Sequence, residues 1–215
     1  MPENIFSGIT EYMNLPVLNV LEIIGLTTFS ASGAYKAMQK EMDLFGILIM
    51  ALTCSLGGGL IRDSIISDGI PLAFESKIMI PISLASALIT VAARRKIKFS
   101  RTITALDALG LGAFGISAGI RAINLGWSFS GYLFVSLITG IGGGILRDIL
   151  CGELPAVLTS DIYAAALLAG SVIMWFLYPY AGTEISSYIC ITAVFAVRMI
   201  CYTKKINLPV FKIKE

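Results

Sequence analysis

The stretch Leu56-Gly57-Gly58-Gly59-Leu60-Ile61-Arg62-Asp63 decides how this chain is read. It recurs as Ile141-Gly142-Gly143-Gly144-Ile145-Leu146-Arg147-Asp148. Both copies lie inside long apolar runs. Each of three adjacent glycines weakens a helix by about 1 kcal/mol relative to alanine. An arginine beside an aspartate in an apolar segment is costly in lipid and marks a functional position by default. One such defect is tolerable, whereas two in register point to use.

Composition sets the class. Of 215 residues, 56% are hydrophobic and 14% charged, and the mean hydropathy is +0.84. A soluble domain rarely has this balance. Apolar stretches of about 20 residues, the length that crosses a bilayer as helix, recur along the chain. The expectation is an all-α polytopic membrane protein. Histidine is absent, which removes the commonest metal ligand and the usual neutral-pH switch. Cys54, Cys151, Cys190 and Cys201 show no CxxC spacing and read as small core residues. The first residues carry Glu3 and Glu11 with no Lys or Arg before the first apolar run, unlike a secretory signal peptide.

Seven spans are expected, near 18–35, 44–66, 78–93, 103–123, 132–150, 162–177 and 185–201. Trp127 and Tyr178-Pro179-Tyr180 suit the membrane interface. Asp161 is placed to cap the sixth span. The densest charge run, Arg94 to Arg101, and the tail with Lys204, Lys205, Lys212 and Lys214 belong on the cytoplasmic side. Four spans separate them, so both fall on one side, with Lys36 and Lys40. The N-terminus is then outside and the C-terminus cytoplasmic. The run is also suited to anionic lipid headgroups.

The two motifs lie 85 residues apart, and the same offset pairs Glu22 with Asp107, Gly25 with Gly110, Phe29 with Phe114, Ser32 with Ser117 and Gly46 with Gly131. The reading is a three-helix unit at 18–93, a basic linker at 94–102, a second unit at 103–180, a seventh helix at 181–203 and a tail at 204–215. Three is odd, so the second unit enters from the opposite side. Inverted repeats with paired glycine-broken helices are a pointer to a transport site.

A break at Gly57, Gly58 and Gly59 would free the carbonyls from Thr53 to Leu56. A break at Gly142, Gly143 and Gly144 would free those ahead of it. Two negative helix ends would then face each other and hold a small cation through backbone oxygen near Leu56, Gly57, Ile141 and Gly142. The positive ends beyond the breaks, with Arg62 and Arg147, leave a site for an anion or zwitterion open. Arg62 and Asp63 point about 100° apart on a helix, so the expected partners are Arg62 with Asp148 and Arg147 with Asp63. Glu22 and Asp107 are further partners. These six charges either line or gate an aqueous path or form a buried network that fixes helix register. Ser32 and Ser117 either line the path or serve close packing. No nucleophile–base set accompanies them, so no catalytic residue and no enzyme activity is expected.

With the Gly-Gly-Gly-x-x-Arg-Asp motif doubled over residues 18–202, the sequence resembles prokaryotic relatives of the trimeric intracellular cation (TRIC) channels, whose bacterial members are also catalogued as a glycine transporter domain. The resemblance implies a homotrimer with one pore per protomer. Its second and fifth helices would kink at the triple glycines, and potassium or sodium would pass between the two halves. It implies the plasma (inner) membrane, a lipid environment, and no cofactor, nucleic acid or soluble partner. The lysine–glutamate signature of the animal channels is not evident. A secondary transporter of glycine or another small solute, or a membrane scaffold, are the alternatives to a channel.

Overall fold

A computed structural model of the chain describes residues 16–66, 69–94, 99–159 and 162–206. The expected Asp161 cap, the first residues, residues 95–98 of the basic run and most of the tail lie outside these. The apolar runs become helices because a segment in lipid must bond its own backbone groups. Eight helices occur among the described residues: α1 Pro16–Gln39, α2 Leu44–Ile66, α3 Leu72–Glu75, α4 Met79–Ala93, α5 Phe99–Asn124, α6 Phe129–Leu150, α7 Ala156–Thr159 and α8 Tyr163–Lys204. By length and composition α1, α2, α6, α8 and Arg101–Asn124 of α5 suffice to cross a bilayer, and α4 is a shorter apolar helix.

The 85-residue offset carries into local structure. Asp43 caps α2 by accepting the Gly46 N–H at 2.7 Å. Ser128, at the equivalent position, caps α6 by accepting the Gly131 N–H at 3.4 Å. Such a cap contributes about 1 kcal/mol. Packing follows the same offset. In the first half α1 packs on α2 and α4, and in the second α5 packs on α6 and α8. Across the halves α1 meets α5 and α2 meets α6. One-turn helices α3 and α7 sit at equivalent places after α2 and α6.

Two boundaries differ from the sequence reading. Helix α5 starts at Phe99, inside the expected linker. The expected sixth and seventh spans join without a loop in α8. Pro179 removes one helical donor there, and Gly182 then breaks the helix at φ 74°, ψ 169°, a conformation that favours glycine. It separates 163–181 from 183–204.

The triplets correct the largest expectation. The backbone is helical at every residue of α2 and of α6, through Gly57–Gly59 and Gly142–Gly144. The carbonyls expected to be freed near Leu56, Gly57, Ile141 and Gly142 thus lie within unbroken helix. The glycines are spent on contact instead. A Cβ on Gly58 would overlap the Thr139 carbonyl oxygen, and one on Gly143 would overlap the Cys54 carbonyl oxygen. Gly57 faces the Leu146 side chain as Gly142 faces Ile61. Lacking side chains, α2 and α6 cross backbone to backbone. Lipid favours this outcome, because a helix break exposes polar groups and a tight crossing does not.

Candidate functional site

Each half builds one buried ion cluster behind its triplet. In the first, Arg62 of α2 donates from Nη1 to Glu22 Oε1 of α1 at 2.8 Å and from Nε to Asp63 Oδ1 at 2.7 Å. The other oxygen of Asp63 accepts the Leu72 N–H of α3 at 2.9 Å. In the second, Arg147 of α6 donates from Nη1 to Asp107 Oδ1 of α5 at 2.6 Å and from Nε to Asp148 Oδ1 at 2.9 Å. Asp148 Oδ2 accepts the Ala156 N–H of α7 at 2.8 Å. Arg62, Asp63, Glu22, Arg147, Asp148 and Asp107 are all buried. Charges in such a setting persist only when paired and hydrogen-bonded. The third glycine of each triplet makes room for them. Gly59 lies against the Arg62 guanidinium, and Gly144 lies against Arg147, Asp107 and the Tyr163 hydroxyl.

The expected cross-pairs Arg62–Asp148 and Arg147–Asp63 are therefore replaced by pairs within each half. Neighbours 100° apart on a helix can pair when one is arginine. Its stem folds sideways so that Nε reaches the adjacent carboxylate while Nη1 extends onward. Glu22 and Asp107, the further candidates, pair with Arg62 and Arg147 from the neighbouring helix of the same half.

The halves are joined through hydroxyls. Ser117 of the second half donates to Glu22 Oε1 at 2.9 Å, and Ser32 of the first half accepts from Arg147 Nη1 at 2.7 Å. Beside the first cluster a cavity of about 10 Å³ is bordered by Glu22, Ser55, Gly59, Arg62, Asp63 and Phe114, room for about one water.

Three features were missed in the sequence. Arg121 adds its Nη2 to Glu22 Oε1 at 3.2 Å, so the first cluster holds two arginines and two carboxylates. Its counterpart at the 85-residue offset, Lys36, turns away to Glu153 Oε2 at 2.6 Å, while Lys40 holds Glu153 Oε1 at 2.8 Å. The second cluster is left with one arginine, Arg147, against Asp107 and Asp148. Arg198 of α8 is also buried, with its guanidinium carbon 4.3 Å from the centroid of the Tyr163 ring, a cation–π contact. The hydrogen bonds from Lys36 and Lys40 hold the Glu153 carboxyl down at about 2. The basic residue shared by positions 36 and 121 was the signal available for Arg121 and Lys36. Nothing in the pattern pointed to Arg198.

A family model described as glycine transporter matches residues 19–95 and 104–179, one segment in each half. The chain belongs to this family. Similar proteins include a UPF0126 membrane protein of Deinococcus radiodurans, 35% identical over 80% of this chain and 81% of that protein. Another is the UPF0126 inner membrane protein YadS of Escherichia coli, 29% identical over 91% of this chain and 96% of that one. Among solved structures, a prokaryotic TRIC channel is 28% identical with a TM-score of 0.84, over 92% of this chain and all of that one. A TRIC trimeric intracellular cation channel orthologue from Rhodobacter sphaeroides is 30% identical with a TM-score of 0.82, over 88% and 99%. These matches agree with the resemblance drawn from the doubled motif. This chain is an all-helical membrane protein of TRIC-like fold.

Proposed function

We propose that the chain is a passive channel for monovalent cations, potassium or sodium, with one pore in each protomer between two inverted three-helix halves. One observation carries the reading: two buried arginine–carboxylate clusters, each completed by a serine of the opposite half, in a chain similar over 92% of its length to solved TRIC channels. Glu22, Asp63 and Ser117 line one end of the path, and Asp107, Asp148 and Ser32 the other. Arg62 and Arg147 hold the carboxylates in place and set the barrier. The crossing at Gly57–Gly59 and Gly142–Gly144 is the closed constriction, and opening kinks α2 and α6 apart there. Seven segments cross the membrane, counting 163–181 and 183–204 separately. The N-terminus is outside, and the protomers form a homotrimer in the plasma membrane. The Lys36–Glu153 contact supports this count, because it requires the ends of α1 and α6 to lie on one side.

Reconstitution tests the reading. Liposomes loaded with the protein are expected to pass potassium without saturation at millimolar concentrations, and planar bilayers to show unitary current steps. Saturable glycine uptake driven by an ion gradient, with no unitary steps over several voltages and pH values, would overturn it in favour of a transporter.

A further inference from the structure

We propose that Phe29 and Phe114 form the hydrophobic gate between the two ion clusters, an inference that rests on the channel reading above. The residues are equivalent at the 85-residue offset. Their rings stack with centroids 5.5 Å apart and planes 30° apart. Both are fully buried, at 0% and 1% exposure.

Their position decides the role. On α1, Glu22 belongs to the first cluster and Ser32 to the second. Phe29 lies between them, about 10 Å from the level of Glu22 and about 5 Å from that of Ser32 at 1.5 Å per residue. On α5, Phe114 lies in the same way between Asp107 of the second cluster and Ser117 of the first. All of these residues share one face of their helix, because spacings of 7 and 3 keep side chains aligned. A cation passing from one cluster to the other along α1 and α5 therefore meets two stacked rings. Phe114 also forms part of the wall of the cavity beside Glu22, Arg62 and Asp63, with Leu26, Leu56, Ala73 and Met79, so the ring borders the space next to the first cluster.

The packing holds the rings in place reciprocally. Gly25 of α1 lies under the Phe114 ring, and Gly110 of α5 lies under the Phe29 ring, each too close for a Cβ. Leu26, Leu56, Ala73 and Cys54 complete the apolar layer. An apolar constriction of this kind gates by excluding water, so an ion cannot keep its hydration shell through it. Cation passage then requires the ring pair to part, and the α2–α6 crossing beside it is the element that releases it.

The test uses the full chain in liposomes, with Phe29→Ala, Phe114→Ala and the double variant. The double variant is expected to raise potassium flux about tenfold, equivalent to a barrier lower by about 1.4 kcal/mol, with each single variant in between. Leu167→Ala, which empties a buried site away from the rings, is expected to lower thermal stability comparably without raising flux. A second readout does not depend on conduction. With Cys151, Cys190 and Cys201 changed to serine, Cys54 is the remaining thiol and packs in the same layer as both rings. It is expected to resist a membrane-impermeant methanethiosulfonate in the parent and to react in the double variant. Unchanged flux together with a protected Cys54 in a folded double variant overturns the gate. So does an equal rise in flux in Leu167→Ala. A newly reactive Cys54 in a protein that passes no cation in any form keeps the ring seal and removes the channel reading instead.

Discussion

Arg62 and Arg147 each satisfy two carboxylates with one guanidinium. Taking Arg147 away strands Asp107 and Asp148, and taking Arg62 away strands Asp63 while Glu22 keeps Arg121; breaking a buried pair in this way costs about 3–5 kcal/mol. Arg62→Ala and Arg147→Ala are therefore expected to lower the thermal unfolding midpoint strongly, and a midpoint within a degree or two of wild type would contradict the cluster geometry. Glu153 behaves differently because water reaches it. Its carboxyl is held at about 2, below the ordinary 4.5. A lowered carboxyl stabilises the fold at pH above its unfolded value and loses that effect as pH falls through about 2. The contact with Lys36 and Lys40 thus persists at neutral and mildly acid pH. Burial pushes the neighbouring Cys151 thiol up, Glu153 adds to this, and the two lysines oppose it. Glu153→Gln is accordingly expected to speed alkylation of Cys151 at mildly alkaline pH, read by mass spectrometry, and an unchanged or slower rate would refute the arrangement.

At the scale of the element, the three glycines of a triplet differ in what they touch. Gly58 meets the Thr139 carbonyl too closely for a Cβ, whereas Gly59 has nothing nearer than the Arg62 guanidinium at 3.7 Å. Gly58→Ala and Gly143→Ala are expected to cost about 1–3 kcal/mol through overpacking. Gly59→Ala is expected to be neutral or to gain up to about 1 kcal/mol of helix propensity. Equal losses at all three positions would favour a fracture over a crossing. This contrast also shows what sequence can carry. The 85-residue offset and the pairing of Glu22 with Asp107 were legible because they are a matter of position. The job of the glycines was not, since local propensity predicts a break and only the partner helix reveals a contact. The arginine pairs escaped for a similar reason. Angular spacing fixes where a side chain leaves the helix, and a long flexible stem decides where it ends.

For the whole molecule, Lys36, Lys40 and Glu153 meet where α1 and α6 end. At the other end of α6, Trp175 lies 5.3 Å from Phe129 and 5.0 Å from the fully buried Tyr132, and the partly exposed Phe129 and Trp175 suit an interface. Cysteines introduced by Arg94→Cys and Leu125→Cys are expected to be labelled from the cytoplasm and from outside respectively by an impermeant maleimide. Labelling of both from one side would reverse or break the seven-span count.

The exchange of serines has a consequence for the symmetry of the chain. Ser32 finishes the cluster of the other half, Ser117 returns the favour, and Gly58 with Thr139 mirrors Gly143 with Cys54. Two identical halves related by a two-fold axis would make each such contact twice. Within one polypeptide the halves need not match, and Arg121 and Lys36, equivalent at the 85-residue offset, bind different carboxylates, Glu22 and Glu153.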